Sequence, residues 1–232
     1  MEQRTLNPIV YPLYQEMILC NHILIAGSTG TGKTTLIDNL IYHALQLEQT
    51  PDFYLIDPKR VGLKRYRNIS PVKARATEPE DYIAMLTNIV DIMEKRYKEM
   101  ESYPDDITIY DGNDIFVIID EGADLVLYHG KEVNPLITRI GNLGRAARIH
   151  LIFATQTVLK ETCGTLIRNN FDCVVGLKTQ SSNQSRVILG VSGTEMLPKV
   201  GYGILAMNAA LTKYKLPKIP DEELQAMIDF WT

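Results

Sequence analysis

Residues 27–34 read Gly-Ser-Thr-Gly-Thr-Gly-Lys-Thr, which is the spacing of a phosphate-binding P-loop. Backbone N–H groups in such a loop point at one anion, and all three glycines are expected to take positive φ angles. Lys33 would reach the β and γ phosphates, and the hydroxyl of Thr34 would complete the ligand shell of Mg²⁺. The pattern therefore predicts ATP and Mg²⁺ as ligands. The expected nucleotide contacts are Gly27, Ser28, Thr29, Gly30, Thr31, Gly32, Lys33, Thr34 and Thr35.

A second group of reactive side chains follows the apolar run Ile115–Ile119, which ends directly at Asp120 and Glu121. This is the layout of a Walker B strand, in which Asp120 would hold Mg²⁺ and Glu121 would orient and deprotonate the attacking water. An apolar strand that ends in a polar turn is the alternative, and the P-loop in the same chain favours the catalytic interpretation. A glutamate directly after the aspartate favours a water-activating ATPase over kinases and GTPases.

Other polar residues could complete a hydrolytic site. Gln156 ends a predicted strand and would lie near the γ phosphate, where it could couple hydrolysis to movement of the following loop. Arg145 and Arg148 precede the same strand, and an arginine supplied by a neighbouring subunit can stabilise the charge of a transferring phosphoryl group. From the sequence alone, an ordinary surface cation is the simpler interpretation of either arginine.

A basic segment follows the second predicted strand. Lys59 and Arg60, in the sequence Asp57-Pro58-Lys59-Arg60, would stand at the edge of the sheet that carries the P-loop. There they could meet nucleotide, a neighbouring subunit or a polymer. Residues 59–67 form the most basic stretch of the chain, but such runs are usually solvated faces. The stretch is therefore weak evidence for nucleic-acid binding.

The elements that must position these residues alternate between strands and helices. Five near-continuous apolar runs indicate parallel strands covered on both faces. The strands are expected at Ile23–Ala26, Phe53–Ile56, Ile115–Ile119, Ile149–Ala154 and Cys173–Leu177. The clearest helix is expected to begin at Thr77-Glu78-Pro79-Glu80, where Thr77 would cap the amide of Glu80. The pattern predicts a doubly wound α/β domain with right-handed crossovers.

The 232-residue chain is 45% apolar and 22% charged, which fits one domain with a large core. We expect a lead-in at residues 1–20, a core at 21–215 and a tail helix at 216–232. No apolar run approaches the ~20 residues of a membrane span, and the N-terminus lacks the layout of a signal peptide. Three cysteines without a Cys-x-x-Cys pair favour a reduced, cytoplasmic setting. A net charge of −4 neither predicts nor excludes nucleic-acid binding.

Several motifs occur together and in order. They are H-I-L-I-A-G-S-T-G-T-G-K-T at 22–34, L-I-D-P-K at 55–59, M-E-K-R-Y-K-E-M at 93–100, V-I-I-D-E-G-A-D-L at 117–125, G-R-A-A-R-I-H-L-I-F-A-T-Q at 144–156 and S-R-V-I-L-G at 185–190. From about Asn21 to Leu205, the chain resembles the motor domain of the FtsK/SpoIIIE DNA translocases and their relatives in conjugative elements. The P-loop is common to many families, whereas the D-P-K, R-Y-K and G-R-A-A blocks together are specific.

The resemblance implies a RecA-like P-loop NTPase fold with a mostly parallel, twisted sheet and helices on both faces. It also implies an ATP-driven homo-oligomer, a hexameric ring in the family, that pumps double-stranded DNA through its centre. The family's Walker A, metal-ligand, Walker B and sensor positions are matched here by Lys33, Thr34, Asp120, Glu121 and Gln156.

The same resemblance implies roles for residues that composition and spacing leave open. Arg145 falls on the arginine of the G-R-A-A block, which is the expected finger acting on a neighbouring subunit. The loops 157–165 and 178–184 would face the pore, which makes Lys160 and Lys178 candidate contacts to DNA phosphates. Such contacts read backbone charge rather than base sequence.

Some features depart from the family pattern. Arg148 stands where the family usually has glycine, and Gly122 stands where a bulky residue is common. Family members usually carry an upstream membrane anchor, so we expect either a core cut from a larger protein, with a missing membrane domain or a membrane-anchored partner, or a compact relative. A related secretion ATPase that moves polypeptide is one alternative function. A nucleotide-binding module that acts by assembly is another.

Overall fold

A single eight-stranded sheet organises the computed structural model, which describes residues 12–156, 170–208 and 210–232. The order across the sheet is β3-β2-β4-β5-β1-β6-β7-β8, with parallel pairing from β3 to β6 and antiparallel pairing from β6 to β8. The strands are β1 His22–Ala26, β2 Asp52–Ile56, β3 Val72–Ala76, β4 Ile115–Ile119, β5 Ile149–Thr155, β6 Cys173–Gly176, β7 Tyr202–Met207 and β8 Ala210–Lys215.

Helices cover both faces of the sheet, as expected for parallel strands. The helices are α1 Pro12–Ile18, α2 Lys33–Ala44, α3 Pro79–Met100, α4 Gly122–Leu143, α5 Ser182–Leu189 and α6 Asp221–Trp231. One apolar cluster contains buried residues of α1, α2 and α6, and the other contains buried residues of α3, α4 and α5. The predicted α/β class, with a mostly parallel sheet between two helical layers, is confirmed. None of the helices in the described part of the chain is long and apolar enough to cross a bilayer.

The five predicted strands are confirmed to within one residue at each end, and three strands were missed. The missed strands are β3, β7 and β8. Their side chains alternate or are largely exposed, so they lack the continuous apolar run that marks a strand buried on both faces. All three lie at or near the two edges of the sheet, where one-sided burial is expected.

The start of α3 differs from the expected capping box. The helix begins at Pro79, and Glu78 precedes it in extended conformation, so Thr77 lies one residue too early to cap Glu80. The carbonyl of Thr77 instead accepts a hydrogen bond from the hydroxyl of Tyr82 at 2.7 Å. Pro79 fixes the first helical residue, where a missing N–H costs little.

The carboxyl ends of three central strands meet at one point of the sheet. β1 lies between β5 and β6, with Ala26 paired to both Thr155 and Gly176. β4 lies on the other side of β5 and is also parallel to it. The P-loop after β1, the acidic pair after β4 and Gln156 after β5 therefore emerge side by side.

Strand β1 begins with a buried histidine. The His22 side chain is 2% exposed, and its Nδ1 accepts a hydrogen bond from the backbone N–H of Leu151 at 3.0 Å. Burial, with the nearby charge of His150, lowers the pKa of His22 to about 4. The imidazole of His22 is therefore neutral in the folded protein near pH 7.

We expect the free energy of unfolding to fall as pH drops from about 6.5 towards 4. The folded pKa of His22 lies below its unfolded value, so its contribution is complete above pH 6.5 and decreases by about 3 kcal/mol on acidification. His22→Asn, which keeps an acceptor but does not titrate, should flatten this slope in denaturant titrations. Burial also lowers the pKa of His43, but that effect is present in both proteins and cancels in the comparison. Equal slopes for variant and wild type would contradict the assignment.

Candidate nucleotide-binding and hydrolysis site

The P-loop connects β1 to α2 and is held at its start by the neighbouring strands. The N–H of Gly27 donates to the carbonyl of Thr155 at 3.2 Å, and the N–H of Ser28 donates to the carbonyl of Lys178 at 2.9 Å. Gly30 and Gly32 have φ angles of 71° and 105°, as the sequence predicts. The loop therefore leaves the sheet in a conformation that most side chains would resist.

Gly27 is a correction to the sequence interpretation, because its φ is not among the positive ones. A Cβ at this position would lie 2.7 Å from the Cβ of Leu177 and 3.0 Å from the hydroxyl of Thr31. Glycine is needed here for close packing rather than for an unusual backbone angle. The spacing of the motif alone does not separate these two reasons.

Lys33 is the first residue of α2, and its side chain turns back over the loop. The ammonium donates to the carbonyl oxygens of Gly27 at 2.6 Å and Ser28 at 2.9 Å. Burial lowers the pKa of Lys33 to about 8, although the carboxylates of Glu121 and Asp120 oppose that shift. A phosphate in the loop would replace weak neutral acceptors with an anion, which is the stronger partner for an ammonium.

Asp120 directly follows β4 and is 9% exposed. Burial raises its pKa, and the negative charges of Asp57 and Glu121 raise it further, while Lys59 and Lys33 oppose the shift. A divalent cation beside Asp120 would relieve this repulsion between carboxylates. The residues therefore fit Mg²⁺, with Asp120 and the exposed hydroxyl of Thr34 as protein ligands and the nucleotide phosphates completing the shell.

Glu121 lies at the start of α4 with left-handed backbone angles of φ 65° and ψ 53°. Such angles are uncommon for a residue with a side chain and concentrate at functional sites. The carboxylate is 2% exposed. Among the described residues, it accepts hydrogen bonds from the N–H of Gln156 at 2.9 Å, the hydroxyl of Thr155 at 3.3 Å and the ammonium of Lys59 at 2.9 Å. Its orientation is therefore fixed from two sides.

Gln156 joins the P-loop to this carboxylate. Its N–H donates to Glu121, and its side-chain oxygen accepts a hydrogen bond from the hydroxyl of Thr29 at 2.6 Å. One residue at the end of β5 thus contacts both the expected phosphate site and the expected general base. This is the placement that a sensor of the γ phosphate requires, and the sensor role stays a prediction.

The contact between Lys59 and Glu121 was not anticipated from the sequence. The D-P-K motif placed Lys59 at the correct edge of the sheet, but its partner lies 62 positions away in the chain. The loop after Lys59 also approaches Asp120, because a Cβ on Gly62 would lie 2.0 Å from the Asp120 carboxylate. The loop between β2 and β3 therefore packs against both Walker B acids.

The basic run 59–67 is mostly paired within the chain. Lys59 contacts Glu121, Arg60 contacts Glu78, and Arg65 contacts Asp38. These contacts give the run a structural role and further weaken it as a nucleic-acid patch.

Lys178 follows β6 but its ammonium points into the protein. It donates to the carbonyl oxygens of Glu195 at 2.9 Å and Leu197 at 2.8 Å. Its own carbonyl holds the N–H of Ser28. These contacts support a role in positioning the P-loop and argue against its proposed contact with DNA. Lys160, the other candidate contact, lies outside the described residues.

Arg145 and Arg148 precede β5, so they lie at the amino ends of the parallel strands, whereas the P-loop lies at the carboxyl ends. Arg148 is bound to Asp114 through two hydrogen bonds of 2.9 and 2.8 Å, and Asp114 also contacts His150. Burial would raise the pKa of Asp114, but these hydrogen bonds hold it well below its usual range. Arg148 is therefore part of the fold, whereas the side chain of Arg145 is exposed.

Gly122, where the family often has a bulky residue, follows Glu121 in α4. A Cβ at this position would lie 2.1 Å from the ring of Phe153. The aromatic side chain on β5 thus fills the space beside the helix start and accounts for the glycine.

A small cavity of about 90 Å³ lies beside the P-loop. Its walls include Thr35, Leu36, Val200 and Leu216. The Cγ1 of Val200 lies 3.7 Å from the position of a Cβ on Gly32. An apolar surface therefore lies next to the phosphate loop, and sequence patterns did not indicate this segment.

Comparison with known sequences decides the family. The sequence model of the FtsK/SpoIIIE family matches residues 3–111 and 109–159. The chain belongs to the FtsK/SpoIIIE family. As a member, it is a P-loop ATPase, and the resemblance inferred from its motifs is confirmed.

A curated relative in the FtsK/SpoIIIE family is the DNA translocase FtsK of Chlorobaculum tepidum. It is 34% identical over 238 residues, a match that covers 90% of this chain and 29% of the relative. A second, from Staphylococcus aureus strain Mu50, is 33% identical over 248 residues and covers 97% of this chain and 31% of the relative. The chain thus spans under a third of the length of these proteins.

Solved structures share the fold. The pCW3 conjugation coupling protein TcpA, in a monomer form with ATPγS, has a TM-score of 0.80 and 23% identity, covering 97% of this chain and 67% of TcpA. The cytoplasmic domain of the type VII secretion ATPase EccC from Thermomonospora curvata has a TM-score of 0.70 and 23% identity, covering 91% and 28%. At these identities the likeness establishes architecture alone.

Two substitutions should separate nucleotide binding from turnover at this FtsK/SpoIIIE site. Lys33→Ala should weaken ATP binding at least about tenfold, because it removes the cation that faces the phosphates. Glu121→Gln should bind ATP at least as tightly as wild type, but should turn over about a hundredfold more slowly, because an amide cannot accept the proton of water. Titrations with a fluorescent ATP analogue and steady-state ATPase assays measure both. Wild-type affinity in Lys33→Ala would contradict the P-loop assignment, and unchanged turnover in Glu121→Gln would remove Glu121 from the mechanism.

Proposed function

We propose that this chain is the motor domain of an Mg-ATP-dependent translocase that moves double-stranded DNA through a ring. The observation that carries the proposal is the convergence of Lys33, Asp120, Glu121 and Gln156 at the carboxyl edge of the sheet. The family membership and the identity to DNA translocases support DNA as the substrate.

The residues divide the chemistry between them. Lys33 and the N–H groups of the P-loop bind the triphosphate and offset its charge. Mg²⁺, held by Thr34 and Asp120, would supply further charge neutralisation on the phosphates. Glu121, fixed by its backbone and by Gln156, orients the attacking water and accepts its proton. Phosphoryl transfer needs this positioning more than it needs covalent chemistry.

Gln156 would couple the state of the bound nucleotide to the loop that is expected to contact DNA. Its contacts with Thr29 and Glu121 would change when the γ phosphate leaves, and residue 157 begins the loop expected to face the pore. Lys160, in that loop, is the remaining proposed contact to DNA phosphates.

The position of Arg145 bears on whether the chain acts as an oligomer. Strand β5 has seven residues, so its two ends are about 20 Å apart, and an exposed side chain at its start cannot reach the P-loop of the same chain. If Arg145 is the finger, it must act on a neighbouring subunit. We therefore propose a homo-oligomer, with a hexamer as in the family resemblance.

A secretion ATPase that moves polypeptide is the second candidate, because the type VII secretion ATPase EccC shares the fold. A nucleotide-binding assembly module is a third, and the complete set of Lys33, Asp120 and Glu121 counts against it. The higher identity to DNA translocases, 34% against 23%, favours DNA.

The substrate can be tested by measuring ATP hydrolysis at low salt with and without long double-stranded DNA. We expect strong stimulation that fades as salt rises, because phosphate contacts release counterions. Glu121→Gln is the control for contaminating ATPases. Hydrolysis that is indifferent to DNA at every salt concentration would contradict the DNA-motor proposal and favour the polypeptide alternative.

The finger role of Arg145 can be tested by mixing inactive subunits. Arg145→Ala and Glu121→Gln should each be inactive alone, whereas mixed rings should regain part of the activity, because some interfaces then pair an intact arginine with an intact base. Native mass spectrometry would verify that the rings are mixed. No recovery in verified mixed rings would count against a role in trans.

A further inference from the structure

Lys59 and Glu121 form an ion pair of unequal partners. The side chain of Glu121 is 2% exposed, whereas that of Lys59 is 41% exposed, and the Lys59 ammonium lies 2.9 Å from the Glu121 Oε2 atom. In the described structure, Oε1 is held by Gln156 and Thr155, so Oε2 is the oxygen that faces the cation. A carboxylate oxygen paired with an ammonium is a poor acceptor for a proton from water.

Of the two partners, Lys59 can leave the pair with the smaller rearrangement. Glu121 is fixed by its left-handed backbone and by the end of β5. Lys59 carries its charge on a flexible four-carbon stem that reaches solvent. Leaving the pair therefore costs the lysine little desolvation and requires no movement of the backbone.

The backbone beneath Lys59 is anchored. Asp57, two residues earlier, is fully buried and accepts hydrogen bonds from the N–H of Leu63 at 3.1 Å and from Arg75 at 2.8 Å. The contact with Leu63 holds the two ends of the 57–63 segment together, and Gly62 within it packs closely against Asp120. The side chain of Lys59 can therefore move without a change in the backbone that Asp57 anchors.

The destination of Lys59 follows from where the ion pair lies. Glu121 is joined through Gln156 to Thr29 of the P-loop, so Lys59 and Glu121 lie beside the expected phosphate site. A terminal phosphate in that region is a stronger attractor than one carboxylate, because it carries more charge and more acceptor oxygens. A diphosphate places no such group there.

We propose that Lys59 is a positioning residue that holds Glu121 in the nucleotide-free site and transfers to the terminal phosphate of a bound triphosphate. The inference rests on the proposed function, in which Glu121 is the general base. The exchange releases Oε2 for water only when a triphosphate is present. Lys59 thereby distinguishes ATP from ADP, and it keeps Glu121 from accepting a proton when no triphosphate is bound.

The primary test compares binding of ATPγS and ADP, each with Mg²⁺, by isothermal titration calorimetry. Lys59→Met should weaken ATPγS about tenfold, the loss expected for one charged hydrogen bond, and should change ADP affinity much less. Lys59→Arg should keep most of the discrimination. Lys64→Met, an exposed lysine of the same loop, is the matched control and should change neither affinity.

A double-mutant cycle separates exchange from a static contact. Glu121→Gln should raise ATPγS affinity, because Lys59 no longer has to leave a carboxylate. In the Lys59→Met background the same change should have an effect at least about threefold smaller, the coupling expected for residues in direct contact. If Lys59→Met alone leaves Glu121 unpaired and folds poorly, the double variant is compared with Glu121→Gln instead. It should bind ATPγS about tenfold more weakly than Glu121→Gln and ADP about equally, and an equal change for both nucleotides would overturn the inference.

Equal losses for ATPγS and ADP in Lys59→Met, no loss for either, or additive effects in the cycle would overturn the inference. These binding measurements do not depend on turnover. If wild type hydrolyses no ATP, the proposed function fails and the binding cycle still reports whether Lys59 exchanges. If wild type hydrolyses ATP and Glu121→Gln is slow, additive binding effects would reject the Lys59 exchange alone.

Discussion

The buried carboxylate of Glu121 is the interaction on which the arrangement of the site depends. A buried charge is costly unless it is paired and hydrogen-bonded, and Glu121 has three partners among the described residues. Lys59 comes from the end of β2, Glu121 from the end of β4, and Thr155 and Gln156 from the end of β5. One side chain therefore ties together three strand ends.

Charge balance extends this constraint across the whole edge of the sheet. Asp57, Asp120 and Glu121 are all at most 9% exposed and are opposed by Lys33, Lys59 and Arg75. A triphosphate adds negative charge beside Lys33, and a divalent cation adds positive charge beside Asp120. In the proposed exchange the internal pairs rearrange when both are bound, and the exposed Lys59 is the member that can move with least disturbance of the packing.

The sequence was sufficient for those parts of the structure that follow from local pattern. The P-loop and the apolar strand ending at Asp120 have fixed spacings, and the five central strands are continuous apolar runs. Pairings over long separations were not accessible in this way. The approach of Lys59 to Glu121 and the inward turn of Lys178 depend on where loops from distant parts of the chain meet. Gly27 shows a related limit, because the motif demands glycine but does not state whether packing or backbone conformation is the reason.

The amino and carboxyl ends of the parallel strands carry different groups, and this division bears on the proposed ring. The residues expected to bind and hydrolyse nucleotide lie at the carboxyl ends of the strands, while the amino ends hold the Asp114–Arg148–His150 cluster and the exposed Arg145. Arg148 is neutralised by Asp114 and fixes the turn into β5, so the turn can present Arg145 outward on a rigid base. In the proposed oligomer, the exposed cation at the amino ends of the strands would face the nucleotide site at the carboxyl ends of a neighbour. If the amino end of β5 in one subunit packs against the nucleotide site of the next, Arg145 would contact the nucleotide of the neighbour. The same strand carries Gln156 at its other end, so β5 would connect the two nucleotide sites.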